Sequence, residues 1–161
     1  MRIIPYLIYL LIVAFYEVTL IDLTAVWGVT FDLPAIFVLG VALYKSEGTA
    51  LWFGFAVGLV SGAATPTLMG WHGLITALLG LTAFHFRERL NLDSLWSKLL
   101  LVIAGTLVYN VMMAAVDGLD GYFRQLWTVI LPGTVYTAIV AWIFFLFKEK
   151  RVTIQKIKAL F

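Results

Sequence analysis

The chain has 161 residues, of which 63% are hydrophobic and 12% charged. Soluble domains carry about 25% charged residues, and one of this length could not hide so much apolar surface, so a soluble globular protein is excluded and a single membrane domain is expected over residues 1–161. The net charge of +2 says less than the placement of the charges, and the absence of cysteine excludes disulfides, thiol catalysis and cysteine metal sites.

The amino terminus opens with Met1-Arg2 and an apolar run, as a signal peptide does. That run is about 19 residues long, no small-x-small cleavage site closes it, and Glu17 is foreign to such a segment, so it is expected to be a retained first span. Five further apolar stretches follow. The expected spans are residues 3–21, 33–44, 49–64, 68–86, 95–116 and 126–147, the second being short and either broken, tilted or re-entrant. All six are expected to be helices, because open strands leave backbone groups unsatisfied in lipid, and the alternation of a membrane barrel is absent. The predicted fold class is an all-α integral membrane protein.

The basic residues set the topology. Arg2, Lys45, Arg87, Arg89, Lys98, Lys148, Lys150, Arg151, Lys156 and Lys158 fall on one side of a six-span arrangement, and only Arg124 falls on the other. The positive-inside rule puts the ten in the cytoplasm, with both termini there. Asp22, Asp32, Asp117 and Asp120 then lie in outer loops. The tryptophans Trp27, Trp52, Trp71, Trp96, Trp127 and Trp142 mostly fall near span ends, as interfacial anchors do. The tail after Phe147 is basic with interspersed apolar residues. Lys148, Lys150, Arg151, Lys156 and Lys158 form an expected inner-leaflet anchor, either as an amphipathic helix on the anionic lipid surface or as a simple topogenic charge cluster.

Along the chain, a few residues stand out as candidate sites. Gly54, Gly58 and Gly62 share one face of the third span, since a step of four residues nearly completes a helical turn. Such a face admits another backbone at close range, either within this bundle or on a partner. Glu17 is an acid inside an apolar span, where an ionisable group is costly unless it reaches the interface or faces a polar cavity. His72, at the start of the fourth span, is the second group of a candidate outward polar cavity with Glu17. Asn110, in the middle of the fifth span, suits an interhelical hydrogen bond, and Pro132 is expected to kink the sixth span or to lie in its first turns. No Ser/His/Asp set, paired carboxylates, phosphate loop or histidine cluster occurs, so neither catalysis, a metal nor a cofactor is expected.

Several short motifs resemble those of the rod shape-determining protein MreD family. Phe31-Asp32-Leu33 is similar to that family's Pro-Asp-Leu entry to the second span. Gly54-Phe55 and Gly58-Leu59 resemble its Gly-Phe…Gly-Leu helix, and Gly70-Trp71-His72-Gly73-Leu74 its Gly-Leu-His-x-Leu segment. Length, span count and charge placement fit as well. The chain departs from the family at Gly62, where an Asp is common. The resemblance implies a six-helix fold similar to the substrate-binding subunits of energy-coupling-factor transporters. It also implies a non-enzymatic scaffold of the cell-elongation machinery in the bacterial inner membrane. The implied direct partner is MreC; the small-residue face also admits a second copy of the chain as a partner, and the basic tail membrane lipids. MreB and the peptidoglycan synthases would be coupled indirectly, and nucleic acid is not an implied partner. The fold similarity also supports an alternative, a solute-binding subunit of a vitamin transporter of the energy-coupling-factor type.

Overall fold

The computed structural model describes residues 3–26, 28–89, 95–118 and 122–158, with side chains through Phe147 except those of Leu95 and Tyr122. Among these residues the chain folds into six helices. They are α1 (Ile4–Thr24), α2 (Leu33–Tyr44), α3 (Glu47–Ser61), α4 (Met69–Arg89), α5 (Leu95–Asp117) and α6 (122–158). The only β pairing described is a single bridge between Val26 and Val29, in a turn where Gly28 takes a positive φ of 78°. Three helical stretches are long and apolar enough to cross a membrane, Ile4–Thr24, Trp96–Asp117 and Phe123–Phe147, while α2 is apolar but shorter. The chain is a helical membrane-associated protein.

Local chemistry explains where the helices begin and end. Pro5 and Pro34 sit in the first turns of α1 and α2, where the missing N–H costs nothing and the fixed φ suits a helix. At the other end of α2, the Arg87 guanidinium donates to the carbonyls of Ala42 and Lys45, at 3.1 and 3.0 Å, satisfying groups that a helix terminus leaves open. Between α3 and α4 the chain tightens into a 3-10 turn, Gly62–Ala64, closed by the Thr65 N–H on the Gly62 carbonyl. Two helices contain a π-turn. In α1 it covers Tyr16–Leu20, and in α6 it covers Leu126–Ile130, just ahead of Pro132. A proline cannot donate to the carbonyl four residues before it, so a widened turn is a natural response there.

The helix boundaries differ from those expected mainly at the ends of the chain. The first helix continues past residue 21 to Thr24. The sixth begins at Tyr122, ahead of residue 126, and runs on through Lys148, Lys150, Arg151, Lys156 and Lys158. The side chains of those five basic residues, and the whole of Trp27, lie outside the described residues.

α2 is the centre of the bundle and is buried along nearly its whole length. On one side Ala35, Leu39 and Ala42 pack with Leu79 of α4, Val102 and Tyr109 of α5, and Phe145 of α6. On the other, Val38 and Val41 meet Val13 of α1 and Phe53 and Val57 of α3. A helix apolar all round is one that is buried all round. α2 is also short: its 12 residues rise about 18 Å, against a hydrocarbon thickness of about 30 Å. The bundle therefore has an Arg87 end, where α2 finishes near the ends of its neighbours, and an Asp32 end, where α2 starts below their rims.

The tightest contact is between α3 and α4. A Cβ at Gly54 would lie 2.6 Å from the Thr76 carbonyl oxygen, and one at Gly62 would lie 2.7 Å from the Cα of Met69. At Gly58 it would collide with the Thr76 hydroxyl and the His72 carbonyl. The approach is mutual, since a Cβ at Gly80 of α4 would lie 2.7 Å from the Ala50 carbonyl oxygen. The glycine face identified in the sequence is thus turned inward, onto α4 of the same chain.

This geometry separates the glycines by consequence. Gly58→Ala overpacks the contact and should lower stability by about 1–3 kcal/mol. Gly40→Ala, where an added Cβ meets nothing within 4 Å, should be neutral or stabilise by up to about 1 kcal/mol. Thermal unfolding of the two purified variants in detergent checks the contrast, and an equal response at the two positions would be incompatible with it.

Candidate functional site

The polar side chains inside the bundle gather toward the Asp32 end. Asp32 immediately precedes α2, in a loop that the short helix leaves sunk between its neighbours. Its backbone N–H donates to the Thr137 hydroxyl of α6 at 2.9 Å, and its carboxylate accepts from the Asn110 amide of α5 at 2.6 Å. Asn110 lies seven residues before the end of α5, or about 10 Å below it by helical rise. Asp32 is therefore well inside the bundle, where the sequence suggested an exposed outer loop. A carboxylate at such depth is expensive unless hydrogen-bonded, and Asn110 supplies that bond.

Beside this pair, the His72 ring Nδ1 and the Tyr109 hydroxyl share a hydrogen bond of 2.9 Å between α4 and α5. Tyr109 and Asn110 are consecutive, so one turn of α5 touches both α4 and the Asp32 loop. The absence of a side chain at Gly62 leaves room for His72, whose Cβ and ring carbon Cδ2 would be 3.1 and 3.3 Å from a Cβ placed there. The loop is secured from its other side by Tyr16. Its hydroxyl donates to the Phe31 carbonyl at 2.7 Å, and its ring packs on that of Phe31 with centroids 5.0 Å apart. Phe31 in turn meets the Tyr136 ring, and the Tyr136 hydroxyl reaches the Thr24 carbonyl at 3.3 Å. Helices α1, α5 and α6 thus converge on the segment leading into α2, and α4 is tied to them through the His72–Tyr109 bond.

Glu17 follows Tyr16 in the π-turn of α1 and points elsewhere. It lines a furrow of about 500 Å³ with Ala14 and Val18 of its own helix and Val60, Ser61 and Ala63 opposite; His72 is not among the lining residues. Across the furrow, the buried Ser61 hydroxyl faces the Glu17 carboxylate and has no other hydrogen-bond partner among the described residues. Tyr16, the residue before Glu17, holds the segment leading to Asp32, so the furrow adjoins the inner polar cluster. Glu17 and His72, paired in the sequence as one outward cavity, thus serve two adjacent environments. His72 is engaged within the bundle, and Glu17 faces the furrow.

Two members of the cluster were readable in advance: Asn110 as a polar residue in an apolar span, and His72 from its position. Asp32 was legible only as an acid beside a proline-led helix. The signal for its burial was the shortness of the following apolar stretch, which places the residue before it below the rims of the longer helices. The Tyr16 and Thr137 contacts join residues 15 and 105 positions apart, and no local pattern announces them.

In comparison with known proteins, no family model matches the chain, and no curated protein or solved structure matches it.

The Asp32–Asn110 bond generates a direct test. Asp32→Ala and Asn110→Ala should each destabilise the protein, and the double variant should be less destabilised than the sum. The coupling energy should be about 1 kcal/mol, typical of interhelical hydrogen bonds in membrane proteins. A thermal-unfolding double-mutant cycle measures it, and strictly additive losses would rule out a direct bond.

Proposed function

We propose that the chain is a non-enzymatic scaffold of the bacterial cell-elongation machinery, similar to the MreD family, that binds the bitopic protein MreC. In this reading all six helices cross or enter the inner membrane, with the Arg87 end and both termini in the cytoplasm. The arrangement would resemble that of the substrate-binding subunits of energy-coupling-factor transporters. Through MreC it would couple MreB filaments to peptidoglycan synthesis.

One observation carries the reading. The two motifs on which the resemblance rests most, Gly54-Phe55…Gly58-Leu59 and Gly70-Trp71-His72-Gly73-Leu74, meet in a single contact. Gly58 abuts His72 and Thr76, and a Cβ at Gly73 would touch the Phe55 and Leu59 side chains at 3.1 and 3.2 Å. Residues that resemble a family at separate places along a chain form one packing unit here, as a shared architecture requires. Gly62 fits the same unit, because the space a longer side chain would need is filled by Met69 and His72.

The Asp32 cluster favours the second reading, a solute-binding subunit of a vitamin transporter. Convergent polar groups inside an apolar bundle are what a small-molecule site needs. The two readings make opposite demands. Under the scaffold reading, MreC from the same organism co-purifies with this chain from detergent-solubilised membranes, and no member of a vitamin panel raises its melting temperature. A vitamin-induced rise without recovery of MreC would reverse the assignment.

A further inference from the structure

A cavity of about 100 Å³ lies between α1, α2 and α6 toward the Arg87 end. Its origin is a missing side chain. Phe37 and Gly40 are three residues apart and so share a face of α2, and a Cβ added at Gly40 would meet nothing within 4 Å. The space left there is walled by rings. Tyr9 of α1 stacks on Phe37 with centroids 5.2 Å apart, and Phe144 of α6 meets Phe37 edge-on at 6.4 Å. Tyr6 and Lys45 also line the cavity.

Size, polarity and charge select the occupant. About 100 Å³ is well below the roughly 300–1,000 Å³ of sites that enclose a whole solute molecule. It is room for a small group carried by a larger molecule that stays outside. The hydroxyls of Tyr6 and Tyr9 make no hydrogen bond among the described residues, and each can donate one. Lys45, the exposed residue that ends α2, is the only charged residue of the wall among the described residues. Rings alone would suit an ammonium group, but a lysine beside them repels one and attracts an anion. A second positive charge is close by, since the Arg87 guanidinium donates to the Lys45 carbonyl at 3.0 Å. Phenol and ammonium groups together ask for an anionic group rich in acceptor oxygens.

We infer that this cavity seats the head group of one anionic phospholipid. The phosphate is held at the mouth by Lys45, the rest of the head group sits between Tyr6 and Tyr9 over Gly40, and the acyl chains stay in the surrounding bilayer. The inference rests on the membrane orientation of the scaffold reading and not on its partner. In that orientation the Arg87 end meets the inner leaflet, where anionic lipids are enriched, and basic pockets between membrane helices on that side are a recurring seat for their head groups.

Native mass spectrometry of the full chain, released from detergent after titration with phosphatidylglycerol or phosphatidylcholine, reads the bound lipid. One phosphatidylglycerol should be retained roughly three- to tenfold more tightly than one phosphatidylcholine, the weight of a single lysine beside an anionic lipid, and Lys45→Ala should remove that preference. Gly40→Leu fills the cavity and alters no charge, so it should lower phosphatidylglycerol retention by a similar factor while leaving the basic tail untouched. Tyr9→Phe keeps the ring and loses one donor, which should lower retention about two- to fivefold; it supplies the same reading if Gly40→Leu fails to fold. Equal retention of the two lipids would overturn the site. So would a preference that survives Lys45→Ala, or one that survives both cavity variants, which would assign the lipid to the tail. Glycerol phosphate binding as tightly as the lipid would make the ligand a soluble anion and overturn the phospholipid. None of these measurements involves MreC, so the scaffold reading stands or falls by its own test.

Discussion

The close approach of α3 to α4 is the contact on which the rest of the bundle depends. Glycines at four-residue steps let the two backbones come together until carbonyl oxygens lie where side chains would otherwise be. Where helices pack within lipid there is no hydrophobic drive between them, and van der Waals contact and interhelical hydrogen bonds take its place. The pair then acts as one wall. Ala50 and Leu79 from its two members enter the same core cluster around α2, while Phe53 and Val57 close the cluster shared with α1. Removing the side chains on one face thus determines what the remaining faces can reach.

The two ends of the bundle solve different polar problems. At the Arg87 end the open groups are the last carbonyls of α2, and a long cationic side chain from α4 reaches them. The guanidinium of that arginine also sits 4.7 Å from the centre of the Phe84 ring. At the Asp32 end the open groups belong to a loop, and it takes contributions from α1, α5 and α6 to accommodate it. A short central helix and a polar cluster below the rim are two aspects of one arrangement. Had α2 been a full span, Asp32 would have reached the surface, and Asn110 would have needed another acceptor.

Much of the fold was visible in the chain because lipid exposure, burial and helix length leave marks in composition. Helices α2 to α5 lie close to their apolar stretches, and the glycine repeat announced a close-packed face. What it packed against was not visible, since small residues look the same toward a neighbour in the chain and toward another protein. The candidate site was legible in fragments. His72 and Asn110 stood out as polar residues in apolar spans, but their partners, Tyr109 and Asp32, are joined to them by tertiary geometry. Tyr109 looked like one more aromatic residue in a span, and Asp32 like one more loop acid. Neither residue type carries a sign of its depth, which is set by how far the next helix rises.

The brevity of α2 also constrains how the protein comes to be made. Twelve apolar residues are too few to rest stably across a bilayer alone, and a helix buried on every side has no face of its own for lipid. During synthesis α2 emerges before α3, α4, α5 and α6, the helices that later enclose it. Its lasting position must therefore be acquired late, when the α3–α4 hairpin arrives and Arg87 at the far end of α4 can take up its terminal carbonyls. An early segment is thus enclosed only by later ones, α5 and α6 among them, so the order of the sequence is not the order in which the bundle closes.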